Sequence, residues 1–190
     1  GAVTLPGVLV AAMDTSEFQR LDKIRQLGGS SFVFPSATHT RREHSIGVCH
    51  LAERMARHLQ AQRPDLVDCD DVLCVTIAGL VHDLGHGPFS HLFEAYVAST
   101  GREGWSHEDM ALVLLDEIVP LVGWGDFFSS PDASLAFVRL LVRGIGADEA
   151  WPAAEVGRDA TKRFLACIVH NRASGIDVDK MDYLIRDTLA

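Results

Sequence analysis

The chain has 190 residues, 47% of them hydrophobic, and a formal net charge of −9. That length suits one domain with a sizeable core, and the acidic balance argues against a general nucleic-acid surface, which normally carries a basic stripe. The longest apolar run, residues 72–81, is about half of the roughly 20 residues that a membrane helix needs, so no membrane partner is expected.

Taken in order, the elements read as a succession of helices, and the predicted fold is all-α. A first helix opens at Asp14-Thr-Ser-Glu17, buries Phe18, Leu21, Ile24 or Leu27, and stops at Gly28-Gly29. A short extended piece over 31–34 leads to Pro35. The second helix covers about 42–60, with Val48, Leu51, Met55 and Leu59 on its apolar face. Asp70 and Asp71 cap a third helix, apolar all round and therefore central. Pro88 suits the first turn of a fourth helix, and Ser106 opens a fifth through a capping-box type start. Further helices are predicted near 132–143, 160–170 and 177–189, with surface loops over 120–132 and 144–158.

We expect a single domain over 1–190, a fragment lacking a C-terminal part, because residues 189–190 end inside a helical pattern and the chain opens on Gly1. No signal-peptide pattern stands at the start. Cys49, Cys69, Cys74 and Cys167 form no Cys-x-x-Cys pair and read as reduced thiols, mostly small core residues, of an intracellular protein.

His82 and Asp83 close the apolar run 72–81 and are followed by LGHGPFSH at 84–91. A buried imidazole beside a buried carboxylate carries a desolvation cost that a divalent cation would offset. His44 lies one helical turn before Val48, on the same face. It reads either as a hydrogen-bonded core histidine or as a further ligand. Another carboxylate is available from the run 175–182, in which Asp177 reads as a helix start and Asp179 lies further in. Imidazoles and carboxylates together suit a divalent metal without selecting one.

His44, His82-Asp83 and Asp179 reproduce the H…HD…D signature of the HD-domain phosphohydrolase superfamily, which the chain resembles. FQRL at 18–21, QLGG at 26–29, FP at 34–35, R-x-EHS-x-G at 41–47, HDLGHGPFSH at 82–91 and GIDVDK at 175–180 extend the resemblance to its deoxynucleoside triphosphate triphosphohydrolases. Bare HD is a weak motif, whereas these blocks in order are a strong one. The likeness runs from about residue 8 to the end, thinning between 120 and 160.

The resemblance implies a dNTP substrate cut at the α-phosphate to a deoxynucleoside and triphosphate. His44, His82, Asp83 and Asp179 would hold a divalent metal (Fe, Mn, Zn or Mg), with Mg on the nucleotide phosphates. His91 and Glu94, at i and i+3, would act on the 5′-oxygen leaving group, with Glu94 standing where the family usually has Asp. His86 and His107 would lie near the phosphates, although His107 also reads as an ordinary helix start. Arg41, Lys180 and Tyr183 would hold the triphosphate, Gln26 and Leu27 would floor the sugar pocket, and Asp187 would meet the 3′-hydroxyl. Taken alone, Leu27 reads as the last apolar residue before a helix stop.

Asp14 and Gln19 match the family's guanine-nucleotide activator site, but Asp22 replaces its arginine. The resemblance thus leaves open a nucleotide activator and a homo-oligomer, in the nucleus or cytoplasm. Two rival functions are another HD phosphohydrolase acting on a nucleotide phosphate ester and a non-catalytic nucleotide- or RNA-binding module. The triphosphate-holding residues argue against the first, and the complete set of metal ligands argues against the second.

Overall fold

The computed structural model describes residues 3–102 and 104–188. It is all-α: among these residues the only strand-like pairing is an isolated antiparallel bridge between Arg25 and Thr40. No helix among them is long and apolar enough to cross a membrane.

The N-terminal region departs from the single helix expected over 14–27. Helix α1 spans Gly7–Met13 and was not anticipated. Helix α2, Ser16–Gln19, is a single turn capped by Thr15, and Arg20–Lys23 tightens into a 3₁₀ turn. The chain then leaves the helix because backbone groups find partners across the bridge: Gln26 N donates to His39 O (3.1 Å) and Arg41 N donates to Ile24 O (2.9 Å). Phe18, Leu21 and Ile24 are buried as expected. The extended piece expected over 31–34 is instead turns, with a 3₁₀ segment over Gly28–Phe32 and Phe34 N donating to Ser30 O.

Helix α3, Arg41–Gln62, carries the capping box of Thr40 and Glu43. Helix α4, Cys69–Val81, is capped by Asp68 rather than by Asp70 and Asp71; Asp71 sits at the third position and accepts from the Asp68 backbone N–H. The two helices meet through small residues. A Cβ on Gly79 would lie 3.0 Å from Ala52 Cβ and 3.1 Å from Cys49 Cα, so the backbones approach closely here. That is why Cys49, Ala52 and Ala56 are buried, while Leu51, Met55 and Leu59 are half-buried.

Helix α5 is His91–Ser99, so Pro88 lies in the preceding turn rather than at the helix start. That turn holds Phe89 and Ser90 at positive φ, and the Ser90 hydroxyl donates to the carbonyls of Arg25 and Gln26 (3.1 and 3.3 Å). Helix α6, His107–Val122, begins at Ser106, whose hydroxyl accepts from Asp109 N as expected, and keeps Pro120 in its last turn.

The two expected surface loops both contribute to the core. Trp124, in a 3₁₀ turn over Trp124–Phe127, is fully buried, and its indole N–H reaches Val8 O at 2.9 Å. Helix α7 is Pro131–Arg143 and α8 is Ala153–Val156, after which Arg158 turns inward onto the Phe137 ring. The segment near 160–170 divides into a 3₁₀ stretch, Ala160–Leu165, and α9, Ala166–Val169. Helix α10 is Val178–Thr188; residue 189 of the expected helix lies outside the described residues. Two of the four cysteines, Cys49 and Cys74, are buried, whereas Cys69 and Cys167 are exposed; all four are free.

Candidate metal centre and cleft

Three helices deliver the central cluster. His44 comes from the first turn of α3, His82 and Asp83 from the end of α4, and Asp179 from the first turn of α10. His44 Nε2 lies 3.5 Å from Asp83 Oδ2 and 2.8 Å from Asp179 Oδ1. His82 Nε2 lies 3.4 Å from Asp83 Oδ1 and 3.6 Å from Asp179 Oδ1. Helix α10 can approach because residue 47 is glycine: a Cβ there would fall 2.0 Å from Asp182 Oδ1.

The other ring nitrogens fix the tautomers. His44 Nδ1 pairs with Asp182 Oδ2 and His82 Nδ1 with Gly79 O, at 2.8 and 2.9 Å. Each ring therefore donates its Nδ1–H outward and turns its Nε2 toward the carboxylates, the arrangement found behind metal-bound histidines. Both Nε2 atoms are buried without a hydrogen-bond partner. Burial alone would lower the two histidine pKa values, but the surrounding carboxylates raise both, that of His44 to about 9. Asp83 and Asp179 stay ionised despite burial because the imidazoles, and for Asp83 also Arg41, hold them below the usual carboxylate range. Two imidazole nitrogens facing two buried carboxylates form a donor set that would accept a divalent cation in place of the ring protons.

His82, Asp83 and Asp179 of the cluster form one wall of a cleft of about 370 Å³ lined also by Gln26, Leu27, Arg41, His86, His91, His107, Tyr183 and Asp187, with His44 buried outside its lining. Arg41 is buried there, donating to Asp83 Oδ2 (2.7 Å) and to the Ser90 hydroxyl (3.0 Å). Gln26 is buried with its Oε1 unpartnered. Lys180 is half-exposed and is not part of the cleft lining. Asp14 and Gln19 lie elsewhere: Asp14 is exposed, and the Gln19 amide donates to Met13 O.

His86, His91 and His107 gather beside the cluster, with the rings of His86 and His107 stacked at 4.0 Å. His86 is buried with its Nε2 3.3 Å from Asp83 Oδ1, and burial outweighs that carboxylate to push its pKa down to about 4. Glu94 was expected to serve His91, but its tighter partner is His107. Glu94 Oε1 accepts from the His107 backbone N–H (3.0 Å) and meets His107 Nδ1 at 2.6 Å, against 3.4 Å from Oε2 to His91 Nδ1. Burial would raise the Glu94 pKa, yet these contacts draw it down to about 2. Gly85 sets the spacing, since a Cβ there would meet the His107 carbonyl oxygen at 1.9 Å.

Several residues of the site had no assigned role in the sequence. Asp182 orients His44 and is itself held by Arg186 through two bonds of 2.8 and 2.9 Å. Its place three residues after Asp179, on the same helix face, was the available signal. Arg20 donates to the carbonyls of Leu84 and His86 and so holds the HD turn from the N-terminal segment. Glu108, Val142, Val169 and His170 also line the cleft, with no local pattern to mark them.

Comparison with known proteins agrees with this geometry. Residues 41–121 match the HD domain family model, and that segment holds three of the four clustered side chains. The chain is similar to deoxynucleoside triphosphate triphosphohydrolase SAMHD1 of Gallus gallus (41% identity over 198 residues, 98% of this chain and 32% of the relative). It is similarly close to the protein of that name from Homo sapiens (40% identity, 98% of this chain, 31% of the relative). The SAMHD1 homolog of Dictyostelium discoideum is 38% identical over 190 residues, covering 99% of this chain and 34% of the relative. The chain therefore spans about a third of the length of these relatives. The histidine–aspartate cluster thus falls, Asp179 apart, within the segment that matches the HD domain family model, and the chain is similar over nearly its whole length to part of these relatives.

Proposed function

We propose that this chain forms the catalytic part of a metal-dependent dNTP triphosphohydrolase, which splits its substrate at the α-phosphate into a deoxynucleoside and intact triphosphate. The observation that carries the proposal is a cleft lined by His82, Asp83 and Asp179, with the buried His44 turning its Nε2 toward the same two carboxylates, and by a separate imidazole group. The name of the relatives supports the substrate class. His44, His82, Asp83 and Asp179 would hold a divalent cation, which would supply Lewis-acid polarisation of the phosphoryl oxygen. Fe, Mn, Zn and Mg are the candidate ions; the two imidazoles favour a first-row transition metal, whereas Mg suits the nucleotide phosphates.

The chain's own residues then divide the remaining work. Arg41 and Tyr183 hold the triphosphate from the cleft wall, Lys180 reaches it from outside the lining, and His86 and His107 flank the phosphates. Leu27 and Gln26 floor the sugar pocket, where Leu27 crowds a 2′-hydroxyl and leaves it unsatisfied. His91, the most exposed imidazole of its group, hands a proton to the departing 5′-oxygen. Incubating the full-length protein with dGTP and divalent metal tests the proposal by its products. Triphosphate release is expected; release of orthophosphate alone rejects it.

His91→Ala is expected to lower kcat by about 10²-fold or more, the usual worth of general acid–base catalysis, with little change in substrate affinity. Glu94→Gln should lose less, because Glu94 orients imidazoles without donating the proton. Rapid-quench measurement of the chemical step checks both, and a rise confined to KM in His91→Ala would show a binding residue instead.

Activation is expected to differ from the family pattern. Asp14 and Asp22 both offer acceptors, so the acceptor edge of guanine loses its donor. Asp22 is exposed, with Lys23 and Arg42 at 3.6 and 3.9 Å. We expect no saturable activation by GTP when a non-guanine dNTP is the substrate. Activation at micromolar GTP that survives Asp22→Ala would show that another residue supplies the donor.

A further inference from the structure

His39 lies outside every motif described above, yet it makes a close contact with the far end of the cleft. Its Nε2 lies 2.8 Å from Asp187 Oδ1, with the two side chains 12% and 26% exposed. Its backbone carbonyl accepts from Gln26 N at 3.1 Å, so one residue braces both the sugar floor and Asp187. Asp179, Tyr183 and Asp187 are spaced by four on α10 and share one face of that helix. Eight residues at the helical rise separate the metal cluster from Asp187 by about 12 Å along the axis.

A carboxylate discriminates for a ligand hydroxyl only when its orientation is held and its second oxygen is left to the ligand. His39 uses Oδ1. We propose that His39 is a specificity-determining positioning residue, whose ring N–H fixes Asp187 as the acceptor for a nucleotide 3′-hydroxyl and so disfavours 3′-deoxy nucleotides. The inference rests on the reading of the cleft as a nucleotide site.

The test is equilibrium binding by calorimetry, on metal-loaded full-length protein in a His91→Ala background where turnover is slow. The ligands are dATP and 2′,3′-dideoxyadenosine triphosphate. The parent should prefer dATP by roughly ten- to a hundredfold, the worth of one hydrogen bond to a charged group. His39→Leu should bring that ratio to within about threefold through weaker dATP binding, leaving dideoxynucleotide affinity unchanged. His39→Gln, which keeps a donor at similar reach, should retain the preference. Should His39→Leu lose its helical circular dichroism, His39→Phe keeps the ring volume without the donor and carries the same comparison. A parent ratio near one, an equal loss for both ligands in the Leu or Phe variant, or a collapse in His39→Gln would each overturn the inference. Binding is read without turnover, so absent triphosphate release would count against the proposed activity and not against His39.

Discussion

His82→Ala is expected to lower metal affinity by more than about 100-fold and to abolish turnover, while far-ultraviolet circular dichroism still reports a helical protein. Loss of an orienting partner behind a metal ligand costs about 10–100-fold, and loss of the ligand itself removes a coordination bond outright. His82 Nε2 is buried, unpartnered and within 3.6 Å of both Asp83 and Asp179, so no other side chain takes over its position. Asp182→Ala gives the graded comparison. It removes the acceptor behind His44 Nδ1 without touching the cluster's inner face, and should fall within the 10–100-fold range. Elemental analysis of the purified variants, alongside activity, decides the matter. Stoichiometric metal with unchanged turnover in His82→Ala would reject the metal assignment.

Asp71→Ala is expected to destabilise the fold by about 3–5 kcal/mol, the cost of leaving a buried charge without its partner. Asp71 is fully buried, and its two oxygens meet Arg158 Nε at 2.7 Å and Lys162 Nζ at 2.5 Å. Arg158 is itself buried, with its guanidinium 4.4 Å from the centre of the Phe137 ring. Removing Asp71 strands that guanidinium between α4 and α7, while Lys162, closer to the surface, recovers solvent. For a chain of this size the loss corresponds to a fall in Tm on the order of 10 °C. Arg158→Met together with Asp71→Leu should be milder than Asp71→Ala alone, because no charge remains buried. Urea denaturation of the three proteins measures this, and a loss below about 1 kcal/mol in Asp71→Ala would mean that the network is solvated.

The ion-pair network and the histidine–aspartate cluster hold opposite ends of α4. Asp71, bonded to the N-cap Asp68, ties the start of that helix to the 3₁₀ segment after α8. His82 and Asp83 sit at its other end and face α3 and α10. Between them, Gly79 lets α3 pack within backbone distance, so the placement of His44 against His82 depends on small residues about one to two turns from the two histidines.

Local spacing was enough to locate the main helices. The apolar repeat of α3, the apolar run of α4, the Ser106 start of α6 and the amphipathic segment of α7 each depend on neighbours three or four residues apart, which a sequence displays directly. The HD motif was legible for a similar reason, since His82 and Asp83 are adjacent and their polarity contradicts the apolar run before them. The early end of the first helix was not legible, because the bonds that end it join Ile24 and Gln26 to Arg41 and His39. Nor was the preference of Glu94 for His107 over His91, which depends on how α5 and α6 meet. Trp124 and Arg158 lay in stretches rich in glycine, proline and aspartate, yet both are buried by partners 116 and 87 residues away. Sequence periodicity by itself determined which segments are helical and which residue types are costly to bury. Only the tertiary structure decided which of those residues meet, because hydrogen bonds and ion pairs between distant segments obey no spacing rule along the chain.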